Sequence, residues 1–434
     1  MRSIGIGLLG CGTVGTGVVR LLTEQGARLR GRLGAELTLR RIVVRDPAKA
    51  RDRAVDRQLL STDPAAVIQD PAVEIVVELI GGVEPALQYV LQALGAGKHV
   101  VTANKALLSS HGRELFAAAE RAGRALGFEA SVGGGIPVLR GLRQGLAANR
   151  FREILAIING TANFILTRMT DEGRPFDEVL AEAQRLGYAE ADPSLDVDGI
   201  DAAQKLAILL LLGYGVEARP KDLHTEGIRQ ITTLDIQFAR EFGYRIKLLA
   251  IAKDRDGELE ARVHPTMLPE GHLLARVDDV FNAIAVDGDA VGPTLFYGRG
   301  AGMMPTASAV VSDLLEIGRE VLAGTAGRSP VVAWPAAPPP VQSVEELMTH
   351  YYLRFQAVDR PGVFAQIAGI LGRHEISISS VIQKGRRSEG GVPVVLLTHW
   401  ARERNIRQAL KAIDALPAVL DRTMVLRIED EALE

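Results

Sequence analysis

A chain of 434 residues is longer than one hydrophobic core usually serves, so two or three domains are expected. A net charge of −3 supplies no global field for nucleic acid or anionic lipid, and neither is expected as a partner. The single cysteine, Cys11, excludes an intrachain disulfide and a cysteine metal cluster. No run reaches the ~18 apolar residues of a membrane span, Leu206–Leu212 being apolar but short. The glycine-rich opening MRSIGIGLLG reads as a strand rather than a signal peptide, so the expected compartment is the cytosol.

In chain order, Ile4–Leu9 is a short apolar strand and Val14–Thr23 a helix. Strands follow at Leu37–Val44, Ile75–Leu79, Lys98–Thr102 and Ala125–Phe128, with helical spacing over Pro85–Ala96 and Arg113–Ala122. Strand and helix alternating at short intervals predict an α/β, Rossmann-like doubly wound domain over residues 1–130. Gly133-Gly134-Gly135 then leads through Ile136-Pro137 into a helix to about Leu146. Runs such as Ile154–Ile158 and Leu248–Ala252, with long helical patterns between them, make residues 131–325 an α+β domain. Five prolines within Ser329–Val341 mark a linker, taken as residues 326–348. The remainder, 349–434, reads strand His350–Val358, helix Val363–Arg373, strands Ile376–Gln383 and Val392–Trp400, helix Glu403–Ala415 and strand Val419–Ile428. That βαββαβ order is ferredoxin-like.

Two overlapping G-x-G-x-x-G matches occur near the N-terminus, Gly5-Gly7-Gly10 and Gly10-Gly12-Gly15. Only the second follows the strand and opens the helix, as a dinucleotide loop must. Gly10 then makes the tight turn, Gly12 admits the pyrophosphate and Gly15 lets the helix pack, with Thr13 and Val14 at the helix N-terminus. Arg45, before Asp46 at the tip of the second strand, leans toward a 2′-phosphate and hence NADP; the alternative is an ordinary surface cation. Cys11 lies inside the phosphate loop, out of reach of a substrate carbon, and is read as packing. Thioester chemistry is thereby disfavoured.

Downstream, GYAEADPSLDVDGIDAAQKLAIL (187–209) carries five carboxylates and one lysine. Asp201 and Lys205 share a helical face. In isolation they could be a surface pair, but the helix continues almost wholly apolar, so its first turn enters a core or a domain boundary. A lysine held there beside carboxylates has the makings of a general acid/base, with Glu190 and Asp196 placed to meet a substrate ammonium or hydroxyl. Lys105 follows a parallel strand at its C-terminal end, the ligand edge of an open sheet, or is simply an exposed helix-start lysine. His99 is read as structural.

Together GLLGCGTVGTGV (8–19), VTANKALL (101–108), NGTANFILTRM (159–169), the 187–209 stretch and GRGAGMMPTASAVVSDL (298–314) closely resemble homoserine dehydrogenases of amino-acid biosynthesis. Asp359-Arg360-Pro361-Gly362-Val363 resembles an ACT-domain turn. The resemblance implies interconversion of L-homoserine and L-aspartate 4-semialdehyde with NADP or NAD, for threonine and methionine biosynthesis. It implies that Lys205 exchanges the proton at the reacting oxygen, with Lys105 beside nicotinamide and substrate. Glu190 would bind the homoserine amino group, Asp196 and Asp201 would orient the lysines and substrate, and Gly302 would close on the cofactor. A monovalent cation, sodium, is implied on the carbonyls of Glu129, Val132, Gly134 and Ile136. The ACT domain implies feedback by L-threonine, with contacts near Asp359–Gly362 and Glu375–Ser380, or else a dimerisation module without a ligand. A homodimer or homotetramer is expected. Two lysines side by side are expected to depress each other's pKa. The competing readings are an amino-acid sensor without chemistry and another dehydrogenase of a small amino acid.

Overall fold

The computed structural model describes residues 2–330, 332, 337–383 and 391–430. Its first sheet holds β1 (Ser3–Leu9), β2 (Glu36–Val43), β3 (Leu60–Ser61), β4 (Ile75–Glu78), β5 (His99–Thr102) and β6 (Leu126–Gly127), all parallel, in the order β3-β2-β1-β4-β5-β6. Strands β4 and β5 are buried at every position, as their Ile/Val composition requires of parallel strands covered on both faces. The chain leaves β1 toward β2 and returns to its other side at β4, so a crevice opens at the C-terminal ends of β1 and β4.

The second sheet comprises β7 (Phe151–Ile157), β8 (His224–Thr225), β9 (Tyr244–Arg255), β10 (Glu258–Pro269), β11 (Phe281–Gly288), β12 (Gly292–Arg299), β13 (Met348–Ala357), β14 (Ile378–Gln383), β15 (Val392–Thr398), β16 (Ala401–Arg402) and β17 (Met424–Ile428). Its path is β12-β11-β7-β9-β10-β17-β13-β15-β14, with β8 on β10 and β16 on β13. The C-terminal βαββαβ module thus keeps the ferredoxin-like order, fourth strand beside first, then third, then second. It also continues the middle domain's sheet, through the parallel pairing of Thr266 and Met267 with Arg427 and Ile428. Nothing in the periodicity announced that junction. The linker before the module is pinned at its end, where the Leu259 amide donates to the Pro340 carbonyl at 2.9 Å. Residues 331 and 333–336 of the predicted linker lie outside the described residues.

The last helix of the middle region, Met303–Ala323, does not stay with its own sheet. Its Ala307, Val310, Leu314 and Ile317 share a core with Ile4, Ile6, Leu8 and Val18 of the first domain. It crosses the helix Thr13–Glu24 at Gly17, where a Cβ would lie 2.8 Å from the Met303 carbonyl oxygen. The linear division into domains is therefore crossed by one helix.

Three elements differ from expectation. The helix to Leu146 is one turn, Val138–Arg140, followed by a wider π turn at Gly141–Gly145, where two glycines in five residues weaken regular helix. The helix expected from Arg113 starts at Lys105, because the Asn104 side chain caps it by accepting from the Leu107 amide at 3.1 Å; it is interrupted at His111. The final strand starts at Met424, since the Thr423 amide turns to Asp414 at 3.2 Å, leaving Val419 a single bridge to Ala357. Among the described residues no helix is long and apolar enough to cross a membrane.

Candidate active site

The strand-to-helix turn after β1 is built by its glycines. Gly10 has φ +97°, and a Cβ there would lie 2.6 Å from the Leu79 carbonyl oxygen. Gly15 faces the Gly10 carbonyl equally closely, whereas Gly12, the N-cap, faces open space. The following amides of Thr13 and Val14 lie in the first helical turn and lack helical acceptors, a geometry suited to an anion at the opening by Gly12. Gly5 and Gly7 instead abut the Ala72 carbonyl and Val67, so the first G-x-G-x-x-G match serves strand packing. A cleft of about 630 Å³ runs from Gly10 and Gly12 past Val44, Arg45 and Asp46 to Ile80. Arg51 ties its walls together, donating to the Cys11 carbonyl at 2.9 Å and the Asp46 carbonyl at 2.8 Å. Cys11 is buried, and burial pushes its thiol up, away from the reactive thiolate.

Across the crevice the lysines converge. Lys105 opens its helix at the end of β5, and its Nζ reaches Asp201 Oδ1 at 2.7 Å. Lys205, one turn on from Asp201 in the helix Ile200–Tyr214, donates to Asp201 Oδ2 at 2.8 Å and to the Ile158 carbonyl at 2.6 Å. One carboxylate therefore holds two ammonium groups. Asp201 is 3% exposed and Lys205 8%, so the surface-pair alternative falls. Asp196 is half-buried beside them. Glu190 is exposed and acts on Lys105 through its charge.

The shared carboxylate separates the two lysines. For Lys205, burial is the largest influence and Lys105 adds like-charge repulsion, so its pKa lies below that of a free lysine despite Asp201. Burial also acts against charge on Lys105, but Asp201, Asp196 and Glu190 outweigh it and raise its pKa. The expected mutual depression is thus corrected: one lysine moves down and the other up. Asp201 itself, though burial opposes its charge, is held well below the usual carboxylate range by Lys205 and Lys105. Burial raises Asp196, and Asp201 adds to the shift.

Two supporting residues carried no role in the sequence reading. Asn159 caps the helix Gly160–Glu172, and its amide donates to Asp196 at 2.7 Å and Asp201 at 2.8 Å. Glu78, fully buried at the tip of β4, accepts from Thr102 Oγ1 at 2.6 Å and the Ile80 amide at 2.7 Å, fixing the loops around Lys105. Asn159 stood inside a quoted motif, but an Asn before a helix signals only a cap. His99 is buried, accepts from the Ala125 amide at 3.0 Å, and is lowered to about 4 by burial and by Arg124.

The remaining candidates sit on the return segment. Gly302, φ +118°, is the N-cap of Met303–Ala323. Gly133 and Gly134 turn with positive φ, and Gly134 packs against the Gly300 carbonyl. The Glu129 carboxylate accepts from the Leu139 and Arg140 amides at 2.9 and 2.8 Å, and the Ile136 carbonyl accepts from the Val138 amide at 2.8 Å. Among the described residues no group of three or more His, Cys, Asp or Glu side chains is placed to hold a metal ion.

The chain is 44% identical over 432 residues to a homoserine dehydrogenase of Neisseria gonorrhoeae, covering 99% of each chain. The chain belongs to the homoserine dehydrogenase family. The Pseudomonas aeruginosa homoserine dehydrogenase is likewise 44% identical, over 99% of both chains. The crystal structure of the homoserine dehydrogenase from Thiobacillus denitrificans superposes with TM-score 0.93 at 48% identity, covering 100% of this chain and 99% of that one. The S. aureus enzyme does so at 0.78 and 34%, covering 99% of each. Family models for homoserine dehydrogenase, its NAD-binding domain and the ACT domain match residues 137–315, 10–129 and 351–418. In this family of oxidoreductases the glycine turn belongs to the NAD-binding match and the Asp201–Lys205 helix to the homoserine dehydrogenase match. Lys105 crosses between them to reach Asp201.

Proposed function

We propose that this protein interconverts L-homoserine and L-aspartate 4-semialdehyde with NADP or NAD, within threonine and methionine biosynthesis. The observation that carries this reading is the Lys105–Asp201–Lys205 cluster facing the crevice of a nucleotide-binding sheet, in a chain of this family. The nicotinamide cofactor, when bound, takes up or delivers the hydride. The glycine turn and the free amides after Gly12 suit its pyrophosphate, which supports roles for Gly10, Gly12, Thr13, Val14 and Gly15. Lys205 has three N–H groups, two of them directed to Asp201 and Ile158, and the third is left for a substrate oxygen. In its neutral form Lys205 takes the hydroxyl proton of homoserine; in reverse it returns that proton to the aldehyde oxygen. Lys105 stays cationic and stabilises negative charge on that oxygen. Asp201 and Asp196 hold the lysines, and exposed Glu190 receives the substrate ammonium. This combination disfavours a sensor without chemistry.

Asp46 Oδ1 accepts from the Ala48 amide at 2.8 Å, and Arg45, Lys49 and Arg51 outnumber Asp46 and Glu84 in the cleft lining, a balance favouring a 2′-phosphate. A hyperthermophilic archaeal homoserine dehydrogenase solved with NADPH, 27% identical, adds support. Gly302 would close over the cofactor from the return helix. Sodium on the carbonyls of Glu129, Val132, Gly134 and Ile136 follows from the family resemblance, and the positive-φ turn at Gly133 and Gly134 supports it only as an irregular stretch of backbone. The edge strand β12 exposes Leu295 and Tyr297, which favours a homodimer or homotetramer. The ACT match supports feedback, for which threonine is the proposed effector, in a cytosolic enzyme. Domain limits of 1–130, 131–325 and 349–434 around a 326–348 linker enclose the three family matches.

The test is homoserine-dependent NADPH and NADH formation by the purified protein, with threonine titrated in. Turnover favouring NADP is expected, and Arg45→Ala should lower that preference by roughly tenfold, the loss of about one charge-assisted contact. No rate above blank with intact cofactor binding overturns the reading.

A further inference from the structure

The turn between Asp196 and Asp201 does not stand alone. Segment His224–Arg229 lies directly on it. The Ile228 amide donates to the Val197 carbonyl at 2.8 Å, and Arg229 pairs with Asp198. Gly227 presses so close that a Cβ would fall 2.2 Å from the Val197 carbonyl oxygen and 2.5 Å from the Asp198 Cα. From the other side Gly199, φ +81°, meets Thr225 and the Glu226 carbonyl. No slack remains between this segment and the residues that aim Asp196 and Asp201.

The same segment is gripped from the C-terminal module. Arg427, 2% exposed in β17, holds Glu226 in a two-pronged contact at 2.8 and 3.0 Å. Its remaining donors bind Glu403 at 2.8 and 2.7 Å, and Glu403 opens the helix Glu403–Ile413 of the module. A buried guanidinium with two carboxylates has a fixed geometry, so a displacement of β17 or of that helix is passed to Glu226. A cavity of about 620 Å³ bordered by Glu226, Glu403, Arg407 and Arg427 leaves room for such a displacement.

We propose that Glu226, clamped by Arg427, is a positioning residue for Asp196 and Asp201, and that through it the last strand of the C-terminal module sets the substrate site. The inference rests on the homoserine reading for its kinetic consequence, but not for its structural one.

Three variants of the full chain test it. Arg427→Lys loses the two-pronged grip, Glu226→Gln loses the charge at a half-exposed position with little risk to folding, and Glu429→Gln is the control. Glu429 also joins the module to the middle domain, through Lys253 at 2.6 Å and through Arg262, without touching the 224–229 segment. Amide hydrogen exchange should quicken at residues 197–205 in the first two variants and not in the control. The homoserine kcat should fall ~10- to 100-fold, the cost of displacing reacting groups by about 1 Å, while the cofactor KM stays unchanged. Wild-type exchange and kcat in both Arg427→Lys and Glu226→Gln overturn the proposal, as does an equal loss in Glu429→Gln. If the wild type does not oxidise homoserine, the functional reading fails, and the exchange comparison still decides the coupling.

Discussion

Two aspartates in this molecule are about equally inaccessible and titrate in opposite directions. Asp201 is 3% exposed and Asp313 is 5% exposed. Asp201 is kept charged by two lysines delivered from different domains. Asp313 lies beside Glu129, whose amide it accepts at 2.9 Å, with one arginine, Arg140, at 3.1 Å. There burial prevails, the Glu129 charge adds to it, and the carboxyl is pushed up to about 7. Burial alone therefore predicts neither site; what decides is how many cations the fold brings to the oxygens. The first aspartate is a fixed charge at every ordinary pH, and the second changes state within the physiological range.

The largest break in that contrast should come from Lys205→Ala. Loss of the proposed proton carrier should cut kcat by ~10²–10⁴, with cofactor affinity nearly unchanged in a direct titration. Normal turnover would reject the role. Asp201→Asn should come next, leaving two ammonium groups without their common carboxylate. Removing one partner of a buried pair costs about 3–5 kcal/mol, to be read as a lowered denaturant midpoint together with lost activity.

A finer change is Lys105→Met. With the like charge gone and Asp201 undivided, the Lys205 pKa should rise, so homoserine oxidation would reach its plateau at higher pH. If only neutral Lys205 takes the proton, as proposed, that limb in the wild type should lie below the range of a free lysine. The smallest effect should be that of Asp313→Asn. A carboxyl whose folded pKa is raised binds a proton in the folded state that the unfolded chain has lost. Wild-type stability should therefore decline as pH rises from about 4, the unfolded value, to the folded value of about 7. Melting curves of Asp313→Asn should lose that part of the slope. The depressed Asp201 has the opposite sign: its contribution is complete above the ordinary carboxylate range and is lost only in strong acid.

The first domain was legible because buried parallel strands are short apolar runs and the glycine turn has a fixed spacing. Helix Val363–Arg373 was legible from end to end. At the candidate active site the pair Asp201–Lys205 could be read, since four residues along a helix is a local fact. That Lys105 meets the same carboxylate came only from the family resemblance, because the two lie 96 residues apart in number and meet only through tertiary packing. Asn159 was hidden by doing two jobs, one of them an ordinary cap. The parallel junction of β10 with β17 was invisible for a similar reason: pairing between distant strands leaves no periodic trace in either.

The helix Met303–Ala323 has a consequence for how the chain is made. It completes one face of a sheet whose other strands are finished by residue 127, so on the ribosome that face waits for ~180 further residues. At ~5–20 residues per second the wait is on the order of ten seconds or more. Throughout it, Ile4, Ile6 and Leu8 are covered on that side only by the helices Thr13–Glu24 and Gly26–Leu33, without Ala307, Val310, Leu314 and Ile317. A nascent chain stalled short of residue 303 is therefore where chaperone capture and aggregation should concentrate, and a fragment cut at the apparent domain boundary inherits the same part-covered face.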